Sequence, residues 1–209
     1  MQVEHGLSWP FVVDWFERLA ITGVFTYLVA SRHEQLNDPG SRTWLLLYIV
    51  SEGLVVIFVL IRRHTQDVTL RPSDWLIAVA ATALPLLARP SGSSPVPTVI
   101  GLLLVVTGIV LQISSKLTLR RSFGLIAANR GVKVGGPYAL VRHPMYAGYL
   151  FSHVGLLLLS PIWFNVLLYC AAWTAQILRI MAEERLLLAD GRYVEYSKRV
   201  RYRLVPGAF

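Results

Sequence analysis

The sequence predicts an all-α fold, a polytopic transmembrane helical bundle of about five to six spans. Three observations predict it. Of the 209 residues 55% are hydrophobic, and the mean hydropathy is +0.54. Charged residues make up 15%, where a soluble domain carries about 25%. The apolar residues are gathered into runs near the roughly 20 residues that a helix needs to cross a bilayer, and short polar stretches rich in proline and glycine part them.

The runs fall at about 11–31, 44–61, 75–89, 97–118, 145–160 and 162–182. The first is the most polar, because Asp14, Glu17 and Arg18 lie in its first two turns; an amphipathic helix on the membrane surface is its alternative. NDPGSR separates it from the second run. RRHTQD and RPSD close the second, and ARPSGSSPVP, with three prolines and a glycine, is a turn no helix crosses. The runs at 75–89 and 145–160 are short for a span, so they thin the bilayer or form the arms of a tight hairpin. In SPIWFN, Pro161 and Asn165 punctuate the last two. The chain reads as a single membrane domain over 1–209, with N-terminal helices in 1–96 and no repeat or soluble second domain.

Charge placement gives the orientation. With six spans, 62–74, 116–145 and 179–209 fall on one side and hold three, six and seven Lys/Arg, 16 of the 20. The opposite connections hold Arg32, Arg42 and Arg89. The positive-inside rule then puts both termini and the 116–145 connection in the cytoplasm. It also accounts for most of the net charge of +8 as topology, leaving no nucleic-acid footprint to explain. The lone Cys170, inside an apolar run, is expected to be a small buried hydrophobe and excludes an intramolecular disulfide. The N-terminus has no basic n-region and does not read as a cleaved signal peptide.

Four stretches carry polar chemistry. The connection 116–145 is about 30 residues long, where the others run about 5–15, and long ordered connections are usually functional. Gly124, Gly131, Gly135 and Gly136 in it permit close ligand approach; a flexible interfacial loop with snorkelling arginines is the alternative. In RHPMY, Pro144 suits the first turn of a helix and His143 its N-cap. Free N–H groups and the positive dipole end there suit a carboxylate or phosphate. A helix start at the membrane surface, with Tyr146 and Tyr149 as belt aromatics, is the plainer alternative. In QILRIMAEERLLL, Arg179 and Glu183 share a helix face, and Glu183 or Glu184 should border a polar cavity; an interfacial ion pair is the alternative. The tail DGRYVEYSKRVRYRLVPGAF alternates tyrosines with basic residues, as a helix on anionic headgroups also would. The histidines His5, His33, His64 and His153 show no ligand spacing, so no metal is expected, and no P-loop or nucleophile-elbow motif occurs.

Together, GGPYALVRHPMYAGY and RIMAEERLLLADGRYVEYSKRVRYRLVP resemble the isoprenylcysteine carboxyl methyltransferase family of integral membrane enzymes, over about residues 97–209. The resemblance makes 97–209 the methyltransferase catalytic core. It implies S-adenosylmethionine as methyl donor, with S-adenosylhomocysteine as product, bound on the cytoplasmic side between the loop before the last helical hairpin and the C-terminal tail. Tyr138, His143, Pro144, Met145 and Tyr146 match the family's cofactor-binding motif. Arg130, Gly131, Val132 and Lys133 fall where the family lays backbone against the cofactor, though Arg130 and Lys133 depart from the eukaryotic members' residues. Glu183 matches a cofactor-contacting carboxylate with a catalytic share, and Arg179 the catalytic arginine at the acceptor carboxylate. The acceptor is expected to be lipophilic and to enter from the bilayer. Phospholipid N-methyltransferases are similar in fold and take an amine instead. Sterol reductases are related in fold but need a nicotinamide cofactor, and a non-enzymatic carrier or scaffold predicts a charged path through the spans. Glu52 is the one internal charge that bears on it, and a side chain facing the bundle is its alternative.

Overall fold

The computed structural model describes residues 9–61, 71–89, 94–119 and 132–209, and among them every regular element is helical. In chain order these are α1 (Trp9–Ala30), α2 (Pro39–Ile61), α3 (Pro72–Leu86), α4 (Thr98–Leu119), α5 (Pro144–Leu159), α6 (Trp163–Leu187) and α7 (Gly191–Arg199), with single 3-10 turns at His33–Leu36 and Gly136–Ala139. The first six occupy the six expected runs. Two ends move for physical reasons. The second helix starts at Pro39, because the Asp38 side chain accepts the Ser41 N–H at 3.1 Å and caps its first turn. The sixth runs on through AEERLL to Leu187, since its charged residues find partners beyond the apolar run.

By length and composition α2 (from Ser41), α4 and α6 can cross a membrane. The apolar α3 and α5 have 15 and 16 residues, about 22–24 Å of helix against a hydrocarbon core of about 30 Å. The protein is an integral membrane protein. Its outer surface is apolar, with Phe16, Leu76, Leu103 and Leu167 among the most exposed side chains. Cys170 is exposed on this surface and not buried as its apolar run suggested. In a bilayer both faces of a helix are apolar, so hydrophobicity does not distinguish the core from the lipid side.

Contacts between helix ends fix an up-and-down arrangement. At one end Arg18 of α1 donates to the Leu60 carbonyl of α2, Arg185 of α6 meets Asp74 of α3 at 2.6 Å, and the start of α5 meets the end of α6. At the other end Arg32 and the Tyr48 hydroxyl both donate to the Leu86 carbonyl. There Asn165 also brackets Arg89, accepting from its N–H and donating to its carbonyl, while Ser94 reaches Leu158. Starts of α1, α3 and α5 therefore lie beside ends of α2, α4 and α6.

The α4–α5 pair is the tightest packing in the bundle. Gly101 and Gly108 on α4 oppose Gly155 and Gly148 on α5 so closely that a Cβ on Gly155 would lie 2.7 Å from the Gly101 carbonyl oxygen, and one on Gly108 2.6 Å from that of Gly148. Backbone approach of this kind gives van der Waals contact where no hydrophobic drive exists between helices. Gly108→Leu is expected to destabilise the folded protein by more than about 1–3 kcal/mol, the usual range for overpacking, because backbone has to move. Gly23, with open space around its Cβ position, is the control: Gly23→Leu should unfold in detergent at the wild-type temperature. Equal melting of both variants would contradict this packing.

Candidate active site

The site-bearing end is built where α5 begins. The 3-10 turn at Gly136–Ala139 enters through Gly136, whose φ of +58° and closeness to Thr118, 2.9 Å from a would-be Cβ, both require glycine. His143 is the N-cap of α5 and Pro144 its first residue. The tail runs alongside: Arg142 and His143 donate their backbone N–H groups to the carbonyls of Tyr202 and Arg203 at 2.9 and 2.8 Å. Beyond them the Leu204 and Val205 N–H groups donate to the Phe209 main-chain oxygen at 2.7 and 3.0 Å.

Two adjacent glutamates at the end of α6 face different surroundings. Glu184, 2% exposed, accepts from His143 Nε2 at 2.8 Å, from the Tyr193 hydroxyl at 2.6 Å and from Arg142, with Arg203 at 3.5 Å. It binds α5, α6, α7 and the tail together. Glu183 lies one residue earlier, around the helix, with a side chain 17% exposed. It accepts from the Tyr146 hydroxyl, and Arg179 Nε stands 3.6 Å away. His143 Nδ1 faces it at 3.8 Å. With Nε2 donating to Glu184, Nδ1 is the ring nitrogen left for a ligand, and it donates only as imidazolium. The Arg179 guanidinium also lies 5.3 Å from the centre of the Tyr146 ring.

A tyrosine layer closes the end of the bundle. Tyr138, Tyr193 and Tyr196 are buried together against Leu119 and Val132. The Tyr196 hydroxyl donates to the Tyr138 carbonyl at 2.6 Å. Burial, reinforced by nearby carboxylates, pushes the Tyr138 and Tyr193 phenols well above their usual value and the Tyr196 phenol up to about 12. All three therefore remain neutral donors at physiological pH.

The structure brings Arg179, Glu183, His143 and Tyr146 into one cluster, with Tyr138 in the adjoining layer. Pro144 is buried at the helix start. Met145 packs into the core with Phe58, Ile180 and Leu204. Val132 backs the tyrosine layer and Lys133 is exposed. Arg130 and Gly131 lie outside the described residues. Arg142 and Glu184 were not singled out in the sequence as a pair; the signal was the adjacent Arg-His facing an adjacent Glu-Glu, two doublets that satisfy each other. Lys116, counted with the cytoplasmic cations, is instead fully buried within α4, its ammonium 5.4 and 5.3 Å from the ring centres of Phe58 and Tyr149. The long connection therefore begins after α4 ends at Leu119.

Residues 96–190 match the phospholipid methyltransferase family model. The fold is similar to that of the eukaryotic intramembrane Ras methyltransferase, isoprenylcysteine carboxyl methyltransferase. That likeness has 20% sequence identity and a TM-score of 0.56, and covers 91% of this chain and 75% of that one. No curated protein matches the sequence. Residues 96–190 are thus similar to phospholipid methyltransferases, and the chain shares the fold of isoprenylcysteine carboxyl methyltransferase.

Proposed function

We propose that the protein transfers the methyl group of S-adenosylmethionine to the carboxylate of a lipophilic acceptor held in the bilayer, releasing S-adenosylhomocysteine. The observation that carries this reading is the Arg179–Glu183 pair: an anion and a cation, both largely shielded from water, on one face of α6 at the site-bearing end. The positive-inside rule places that end, and both termini, in the cytoplasm, and residues 97–209 form the catalytic core.

The residues present fit this cofactor. Glu183 suits an α-ammonium. The N-terminus of α5, 16 residues long and with His143 at its N-cap, suits an α-carboxylate. Tyr146 and the tyrosine layer offer aromatic faces to adenine. The backbone around Arg130, Gly131, Val132 and Lys133 is the remaining wall in this reading. S-adenosylmethionine supplies an electrophilic methyl on a sulfonium. The acceptor carboxylate is already ionised at pH 7, so no general base is required. Arg179 holds the acceptor oxygen, Glu183 and His143 orient the donor, and the apolar helices exclude water, so that catalysis is positioning in a dry site.

In calorimetric titration with S-adenosylmethionine, Glu183→Ala should lose binding by at least about 100-fold, since the ammonium loses its buried counter-charge. Unchanged affinity would remove Glu183 from the cofactor site. The family match favours a second reading, an amine of a phospholipid as acceptor. Assay of a prenylcysteine beside phosphatidylethanolamine vesicles separates the two.

A further inference from the structure

Deeper in the bundle, Arg179 also borders a small cavity between α2, α3, α5 and α6, lined with it by Glu52, Thr82, Tyr149, His153 and Gln176. The room left there for the centre of a water molecule is about 20 Å³. A buried water needs about 10–15 Å³ by that measure and makes about three hydrogen bonds, so the space takes one water and no larger group. The wall is polar enough to hold it. Gln176 and His153 are each 3% exposed. Gln176 Nε2 donates to the Ala81 carbonyl at 3.2 Å, which fixes the amide and leaves Oε1 as an acceptor. Among the described residues neither that Oε1 nor His153 Nδ1 has a hydrogen-bond partner. His153 Nε2 faces Glu52 Oε1 at 3.9 Å, and the imidazole is held against the rings of Tyr149, Tyr169 and Trp173. The carboxylate favours the proton on Nε2, so Nδ1 is an acceptor as well. Thr82 donates its proton to the Ala78 carbonyl. Buried polar atoms without a partner are rare in native structures, and ordered water is a common answer to them.

We propose that one resident water sits in this cavity, donating to Gln176 Oε1 and His153 Nδ1 and accepting from the Arg179 guanidinium, and that Gln176 and His153 thereby act as positioning residues for Arg179. The positioning role rests on the carboxylate reading above. Arg179 and Gln176 are three residues apart on α6, so they lie side by side on one face. The two protons of the water answer the two acceptors, and its oxygen is left for the guanidinium. A guanidinium is planar and its donors point in fixed directions, so holding one edge decides where the others aim. Glu183 Oε1 stands 3.6 Å from Arg179 Nε, and the Tyr146 ring lies 5.3 Å from the guanidinium carbon. The water holds the edge that borders the cavity. Being neutral, it orients the cation without cancelling the charge that the acceptor carboxylate meets.

Two measurements test this. A structure of the wild-type protein at a resolution that shows ordered water should place one within hydrogen-bonding distance of Gln176 Oε1, His153 Nδ1 and Arg179. A cavity without that water, or with a metal ion in its place, overturns the site. The role is read from single-turnover methylation of N-acetyl-S-farnesylcysteine. Gln176→Met keeps the side-chain length and removes the acceptor; His153→Phe keeps the ring packing. Each should lower the rate at least about tenfold, the scale of a hydrogen bond to a charged group. S-adenosylmethionine affinity and melting temperature report folding, and where one variant does not fold the other and the wild-type structure decide. In an Arg179→Ala background neither substitution should slow the enzyme further, because both act through Arg179. Additive losses overturn the positioning role, since a merely structural effect persists without the guanidinium. Unchanged rates in both single variants overturn it too. Failure of the wild-type enzyme to methylate the acid overturns the carboxylate reading and the positioning role with it, while the water site stands or falls on the structure alone.

Discussion

Glu184→Gln is expected to loosen the C-terminal third of the protein while leaving the helices of the membrane domain in place. The carboxylate is 2% exposed and accepts from Arg142, His143 and Tyr193 at once. Removing its charge leaves the buried Arg142 guanidinium without its counter-ion, and breaking a buried pair on one side typically costs about 3–5 kcal/mol. Because Arg142 also donates to the Arg201 carbonyl at 3.2 Å, the tail shares the loss. Thermal unfolding in detergent should show the shift, and trypsin should cut faster at Arg192, Lys198, Arg199 and Arg201. Glu183→Gln, with a side chain 17% exposed, is the comparison. It should cost less than about 1 kcal/mol, near the worth of an ordinary hydrogen bond. If the two variants melt together, the division of labour between the adjacent glutamates is wrong.

That division marks where the sequence stops being readable. The six long helices were legible because a span is an unbroken apolar run and its ends are polar or contain proline, signals that need no tertiary information. The helix start at His143-Pro144 was legible for the same local reason. Which glutamate is partly exposed and which is sealed inside was not, because residues 183 and 184 differ by 100° of helix rotation and only the neighbours decide. Arg142 was hidden behind His143. Its role depends on Glu184, 42 residues away. Cys170 and Lys116 fail in opposite senses: an apolar residue that faces lipid, and a cation that is fully buried under two aromatic rings. Both follow from the bilayer, where polarity reports helix ends and lipid contact more faithfully than burial. Glu52 and His153 are 101 positions apart in the chain, and nothing in their local sequence says that they meet.

Arg179→Ala is expected to lower kcat for a carboxylate acceptor by about 100-fold or more, the scale of losing one fixed charge at a reacting oxygen. Cofactor affinity should be retained, since Glu183 keeps its hydrogen bond from Tyr146. Arg179→Lys should recover only part of the rate, because an ammonium cannot offer the guanidinium's paired donors or its packing against the Tyr146 ring. The same variants assayed with an amine acceptor give the opposite expectation. An amine has to lose a proton before it attacks, and a neighbouring guanidinium does not then serve as a handle for it; removing that cation leaves the rate equal or raises it. Single-turnover rates with both acceptors on one preparation therefore decide the chemistry of the acceptor from a single side chain. Loss with the acid alone fits a carboxylate held by Arg179. Loss with neither would mean that the guanidinium serves only to balance Glu183, 3.6 Å away on the same helix face.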